Sequence, residues 1–252
     1  MRHLKNYPRT NPHLLQWAVQ AQSFRKMIEV ENDLEIIRAV TRISGKRVID
    51  VGCGSGELVR SLAGNGAAVT GIDSSEILKK AREFPQIKDE VYLAGGGEIL
   101  PLEMDCADIV LFFASLHHVP EPFMKRALKE THRVLKNEGM VIILEPMPEN
   151  GSYFELIRLV DDETPRLKSA YNAIRHACKV GFRQEGEELV YSQRSFTDFL
   201  ELLEKYVDNK EEREGYLARA EEAVERMSRE AGMSITDYRF KSIARVNVLR
   251  KN

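Results

Sequence analysis

The run Asp50-Val51-Gly52-Cys53-Gly54-Ser55-Gly56 constrains this chain more than any other. It follows a short apolar segment, residues 47–51, and precedes an amphipathic one, residues 57–63, which Gly64-Asn65-Gly66 terminates. The order is strand, glycine turn, helix. The first N–H groups of a helix lack partners within it, and glycines let a ligand approach the backbone there. A glycine cluster carries weight only between a buried strand and a helix start, which is where Gly52, Gly54 and Gly56 fall. The next apolar segment, residues 67–72, leads to Asp73, whose carboxylate can accept hydrogen bonds from both hydroxyls of a ribose. Together the glycine turn and the acid predict an adenosine-bearing cofactor.

The same rhythm continues. Residues 75–84 read as a helix closed by Pro85, 90–94 as a strand, 108–113 as a buried strand, 122–135 as a helix and 140–144 as another buried strand. Alternating strands and helices predict an α/β fold, a Rossmann-like, doubly wound, mostly parallel sheet with helices on both faces. Ahead of it, Leu14, Leu15, Trp17, Phe24, Met27, Ile36, Ile37 and Val40 recur at helical spacing, so residues 1–44 read as an N-terminal helical cap. The cofactor-binding core is residues 45–146. Residues 147–209 show mixed helix with little strand pattern and read as a helical lid or acceptor region. Residues 210–252 hold a last helix, with a packing stripe at Tyr216, Leu217, Ala220, Ala223, Val224 and Met227, and two final strands.

Composition narrows the function classes. With 252 residues and 43% apolar content the chain can bury one sizeable core. Lys and Arg number 37 against 39 Asp and Glu, a net charge of -2, so no general attraction to a polyphosphate backbone is expected and no nucleic-acid partner. Cys53, Cys106 and Cys178 are widely spaced and fit neither a disulfide framework nor a zinc spacing, so reduced thiols in a cytoplasmic protein are expected, with no metal. No apolar stretch reaches the roughly 20 residues of a membrane span. A monomer or homodimer without membrane association is expected.

Which adenosine cofactor binds depends on Glu57. A dinucleotide fingerprint needs a third glycine at that position to let helix and strand pack close beneath the pyrophosphate. A carboxylate there opposes a pyrophosphate and suits a cofactor without phosphate. In these residues the chain resembles the class I S-adenosylmethionine-dependent methyltransferases, in particular the group with ubiquinone and menaquinone methylation enzymes. Gly71-Ile72-Asp73-Ser74-Ser75 is similar to that family's ribose motif, and Glu98-Ile99-Leu100-Pro101-Leu102 to its adenine loop. Asp108-Ile109-Val110 through His117-His118-Val119 resembles the fourth strand and its loop, Arg133 to Gly139 the next helix-to-strand turn, and Ala231-Gly232-Met233 the turn before the last two strands.

The resemblance implies a seven-stranded sheet with an antiparallel strand near the C-terminus, S-adenosylmethionine as cofactor and S-adenosylhomocysteine as product. It implies a cofactor site of Asp50, Gly52, Cys53, Gly54, Gly56, Asp73, Ser74, Gly97, Glu98, Ala114 and Ser115. Asp50 and Gly52 fall near the methionine end, and Ala114 or Ser115 closes over it. Many relatives place an Asp just before the adenine loop, where this chain has Gly96; the backbone around Gly97 and Glu98 is expected to hold adenine instead.

Methyl transfer from a sulfonium is a direct displacement, so the protein aligns the acceptor and, where necessary, removes its proton. His117 and His118 follow a strand at its carboxyl end, where open α/β sheets place ligands, and are the candidate bases; Glu145, ending the next strand, is the candidate substrate contact. The acceptor is expected to be a small molecule, methylated on oxygen, nitrogen or carbon, in a pocket that Tyr7 and Trp17 help to form. Two other readings remain open at this point: an adenosyl-cofactor protein of another reaction type or a non-catalytic binding module, favoured by Gly96, and a nicotinamide oxidoreductase, disfavoured by Glu57.

Overall fold

A computed structural model describes residues 27–148, 152–195, 203, 207, 210–231 and 239–252. Tyr7, Trp17, Gly232 and Met233, together with the side chains of Val224 and Met227, lie outside the described residues. The elements in chain order are β1 (Ile28–Glu29), α1 (Asp33–Val40), β2 (Arg47–Val51), α2 (Glu57–Gly64), β3 (Ala68–Asp73), α3 (Ile77–Ala81), β4 (Val91–Ala94) and β5 (Ala107–Phe113). There follow α4 (Glu121–Val134), β6 (Leu135–Pro146), α5 (Ser152–Ile157), α6 (Thr164–Arg175), β7 (Phe182–Ser195), α7 (Lys210–Ala231) and β8 (Arg239–Lys251).

Among the described residues the strands form one sheet of eight in the order β1-β7-β8-β6-β5-β2-β3-β4. β2 pairs in parallel with β3 on one side and β5 on the other, so the chain runs outward through β3 and β4 and then returns to continue through β5 and β6. That reversal splays the loops after β2 and β5 apart at their carboxyl ends, the crevice where such sheets bind ligands.

Both faces of the sheet are covered, which is why its central strands read as unbroken apolar runs. Side chains alternate along β5: Ile109 and Leu111 join a core with Ile36, Ile37, Val59 and Leu62 of α1 and α2, while Val110 and Phe112 join one with Met124, Leu128, Ala170 and Ile174 of α4 and α6. Asn32 opens α1, its side-chain oxygen accepting from the Glu35 N–H at 3.1 Å.

The doubly wound parallel sheet with an antiparallel strand near the C-terminus is present, with two differences from the pattern expected. It has eight strands instead of seven, because β1 adds to the edge beside β7. And β7, a 14-residue strand, occupies residues read as part of a helical lid, whereas residues 239–251 form the single strand β8. β7 carries Arg183, Glu185, Glu187, Glu188 and Arg194 and so lacks an apolar alternation. It is held by its antiparallel ladder to β8 and by charge pairs across it, Arg250 to Glu185 at 2.7 Å and Arg245 to Glu187 at 3.5 Å, none of which is local in sequence.

Ile142 lies on β6 at the centre of the sheet with no exposed surface. Ile142→Ala is expected to lower unfolding free energy by about 2 to 5 kcal/mol, measured by urea denaturation; a loss below about 1 kcal/mol contradicts the central placement of β6.

Candidate active site

The glycine turn is bent by φ angles of +75° at Gly52 and +56° at Gly54. The two glycines serve different needs. A Cβ on Gly52 would lie 2.5 Å from Ser115 Cβ, because the Ser115 hydroxyl donates to the Val51 carbonyl at 2.6 Å and draws the loop after β5 against the loop after β2. A Cβ on Gly54 would meet nothing within 4 Å, so that face of the turn is open to a ligand. The Gly54 N–H donates to Asp73 Oδ2 at 2.9 Å and the Ser74 N–H to Asp73 Oδ1 at 2.7 Å. Asp73 is thereby oriented while each oxygen retains acceptor capacity. Burial, reinforced by Asp50 and Asp73, pushes the Cys53 thiol up to about 12, so it is an inert packing group and no nucleophile.

Acids surround this turn. Asp50 is 2% exposed, and burial, with Asp33 and Asp73 adding repulsion, raises its carboxyl to about 7. Asp33, in the first turn of α1, is itself raised by burial; Arg194 of β7 offsets this and Glu57 adds to it. A mouth lined by carboxylates stabilises a cation and repels a polyphosphate.

The loop after β4 is clamped from α4. Arg133 donates to the carbonyls of Leu102 and Leu100 at 2.8 and 3.1 Å, and Glu130 accepts from the Leu100 N–H at 3.2 Å. Within the loop, a Cβ on Gly96 would fall 2.8 Å from Glu98 Oε2. The Glu98 carboxylate therefore fills the space that an acidic side chain at position 96 would take. Gly97 is buried against Val119 and Phe112.

Beyond Ala114, whose φ is +51°, the chain makes a short 3-10 turn, Leu116–His118, at the end of a cavity of about 710 Å³. The cavity runs from Asp33, Glu57 and Ala114 to His117, His118 and Glu163. Glu145, ending β6, accepts from the Leu116 and His117 N–H groups at 2.9 and 3.3 Å and from His117 Nδ1, so it shapes the turn instead of projecting into the cavity. His117 Nε2 lies 3.5 Å from Glu163 Oε1. Burial opposes charge on His117, but the hydrogen-bonded Glu145 and nearby Glu163 outweigh it and raise the ring to about 9. His118 stacks obliquely on it, ring centroids 4.0 Å apart, and is held below the usual histidine range by burial and by that neighbouring cation.

The structure thus gathers Asp50, Gly52, Cys53, Gly54, Gly56, Asp73, Ser74, Ala114 and Ser115 around one turn, places Gly97 and Glu98 in the next loop, and sets His117, His118 and Glu145 together. Sequence reasoning missed Asp33, Glu163 and Arg194, which arrive from α1, the loop before α6, and β7. At the end of α6, Arg175 and His176 are exposed and stand apart from the cavity lining, and Tyr171 one turn earlier donates to Glu187 at 3.0 Å and packs under Arg245.

Residues 49–143 match the family described as methyltransferase domain. The match runs from β2 into β6, the parallel half of the sheet that carries the glycine turn. Around it the chain is 33% identical over 131 residues to a ubiquinone biosynthesis O-methyltransferase of Pseudomonas syringae pv. tomato, covering 50% of this chain and 55% of that one. It is 37% identical over 110 residues to the enzyme of that name from Coxiella burnetii, covering 42% and 46%. The chain spans about half the length of the curated relatives it matches. Among solved structures, a proposed methyltransferase from Bacillus halodurans C-125 superposes with a TM-score of 0.62 at 22% identity, covering 87% of this chain and 98% of that one. The YcgJ protein of Bacillus subtilis does so at 0.60 and 18%, covering 86% and 96%. These two likenesses show that the shared fold extends beyond the matched core.

Asp50 makes the domain's stability depend on pH in a defined direction. In the unfolded chain it ionises near pH 4, in the fold near 7, so between these values the native state holds more protons and stability falls as pH rises. The stabilising contribution is complete below about pH 4 and lost as pH passes through about 7. Asp50→Asn is expected to be more stable than the parent chain by about 1 to 3 kcal/mol at pH 8, with the gap closing at pH 5, in ligand-free thermal melts. An equal difference at both pH values contradicts the buried-carboxyl account.

Proposed function

We propose that this chain transfers the methyl group of S-adenosylmethionine to an oxygen, nitrogen or carbon of a small-molecule acceptor, with S-adenosylhomocysteine as product. The observation that carries this reading is the acid-flanked glycine turn, next to which Glu57 and Ala114 line a cavity that reaches His117, His118 and Glu163. Asp33, Asp50, Glu57 and Asp73 suit a cofactor whose reacting end bears a sulfonium and an ammonium, and the same charges oppose the pyrophosphate of a nicotinamide cofactor. Asp73 is oriented for the ribose. Glu98 stands in for the acid absent at position 96 and accepts from the exocyclic amine of adenine. The open backbone at Gly54 admits the cofactor, while Ala114 and Ser115 border its methyl end.

Bound there, S-adenosylmethionine would supply an activated methyl group, the acceptor lone pair replacing the carbon–sulfur bond and the thioether keeping that bond's electron pair. The chain's own contribution is placement. The cavity walls from α5, the loop before α6, and β7 hold the acceptor against Ala114 and exclude water. Its lining acids, Glu31, Asp33, Glu57, Asp161 and Glu163, outnumber the cations Arg194 and His117, so uncharged or cationic acceptors are favoured over free anions. Acceptor activation belongs to the cluster of His117, His118 and Glu163, with Glu145 orienting His117 from behind. The relatives named for ubiquinone biosynthesis O-methylation support a small-molecule acceptor and methylation on oxygen. Three free cysteines fit a reducing, cytoplasmic setting.

Calorimetric titration with S-adenosylmethionine, S-adenosylhomocysteine and NADH tests the reading. The two sulfur cofactors are expected to bind and NADH not to. Asp73→Ala and Glu98→Ala are each expected to weaken S-adenosylhomocysteine by about 1 to 3 kcal/mol, roughly 5- to 150-fold, with the fold intact. Unchanged affinity in both variants moves the cofactor elsewhere. Binding followed by no turnover across an acceptor panel favours a binding module.

A further inference from the structure

We propose that His117, His118 and Glu163 bind a divalent first-row transition-metal ion, supported by Glu145, with open coordination positions facing the cavity. One ligand atom from each of the three residues lies within 4.8 Å of the others. Imidazole nitrogen and carboxylate oxygen take roughly 2.0 to 2.2 Å around such an ion, so the three donors would draw closer together to hold one. The second observation is independent of that clustering. His117 is 2% exposed, and its Nε2 is a buried polar atom without a hydrogen-bond partner. Buried ring nitrogens are nearly always hydrogen-bonded, whereas this one has only the loose charge contact with Glu163 Oε1 at 3.5 Å, a gap between two ligand atoms that a cation can occupy in place of the ring proton.

The surroundings are those of a supported metal ligand. Glu145 engages Nδ1 of His117 and is itself held by two backbone N–H groups, which turns the opposite nitrogen toward Glu163. A carboxylate behind a ligating imidazole is the usual orienting arrangement. Glu163 is fixed in turn by Arg166, which bonds its Oε1 at 3.0 Å and Asp161 at 2.6 Å. Two imidazoles and one carboxylate are borderline donors that prefer zinc, cobalt, nickel or iron to magnesium or calcium. Three protein ligands leave at least one position open, as catalytic sites require, and all three residues line the cavity.

The consequence for the reaction rests on the proposed methyl transfer; the metal site itself does not. An acceptor hydroxyl at the open position is acidified by the ion and releases its proton to water. The resulting oxyanion attacks the methyl carbon as the carbon–sulfur bond breaks. This gives His117 and His118 a role that neither has as a free base, and assigns the acceptor an ionisable hydroxyl.

The test uses the full chain, stripped with a chelator and dialysed. Zinc titration by calorimetry is expected to show one site tighter than about 10 µM, and cobalt to give visible d–d absorption of a nitrogen- and oxygen-ligated ion. Glu163→Gln and His118→Ala are each expected to weaken zinc at least 10-fold with melting temperatures near that of the parent, while Cys178→Ser leaves the affinity unchanged. Absence of binding below about 100 µM overturns the site, as does unaltered affinity in both ligand variants. S-adenosylhomocysteine is titrated into the same samples. Metal binding without cofactor binding removes the methyl-transfer reading and leaves the site; cofactor binding without metal removes the site alone.

Discussion

The Ser115 hydroxyl, donating to the Val51 carbonyl at 2.6 Å, ties together the two loops on which the site depends. One loop follows β2 and carries the glycine turn; the other follows β5 and carries Ala114 and the histidines. Parallel strands running out in opposite directions from this point would let the loops diverge. The bond brings them so close that position 52 has no room for a Cβ. With the loops joined, Glu57 from the end of one and Ala114 from the other line a single cavity with His117 and His118.

Charge is organised around that junction. Buried or half-buried carboxylates crowd one side, and one of them, Asp50, holds its proton up to about pH 7 because burial and two neighbouring acids oppose its ionisation. A cationic ligand would relieve this repulsion, which is the electrostatic basis of the proposed preference for a sulfonium cofactor. On the other side, carboxylates face imidazoles. The same residue type therefore serves two ends of the cavity, with the partner supplied by the ligand in one case and by the protein in the other.

The parts legible in the sequence were those whose signal is local. The glycine turn, Asp73 and the buried strands follow from spacing and apolar periodicity over a few residues, while Glu98, Ala114 and Ser115 were singled out by the resemblance alone. β7 was not legible, because its charged surface has no strand periodicity and its stability comes from pairing with β8 more than forty residues later. Glu163 and Asp33 carried no signal either: each is an ordinary acid at a helix start until the fold sets it beside His117 or Asp50. Gly96 looked like a missing contact, and only the backbone path of the loop shows Glu98 folding back into its place. His117 read as a base from its position at a strand end, whereas Glu145 and Glu163 leave its ring engaged on one side and facing a carboxylate on the other.

Amide hydrogen exchange with and without S-adenosylhomocysteine tests the central claim most directly, because it reports where a ligand sits as well as whether it binds. The account predicts slowed exchange in peptides spanning residues 50–56, 73–74 and 96–100, with no comparable effect from NADH. Protection by NADH at residues 50–56, or protection by S-adenosylhomocysteine confined to other segments, would contradict it.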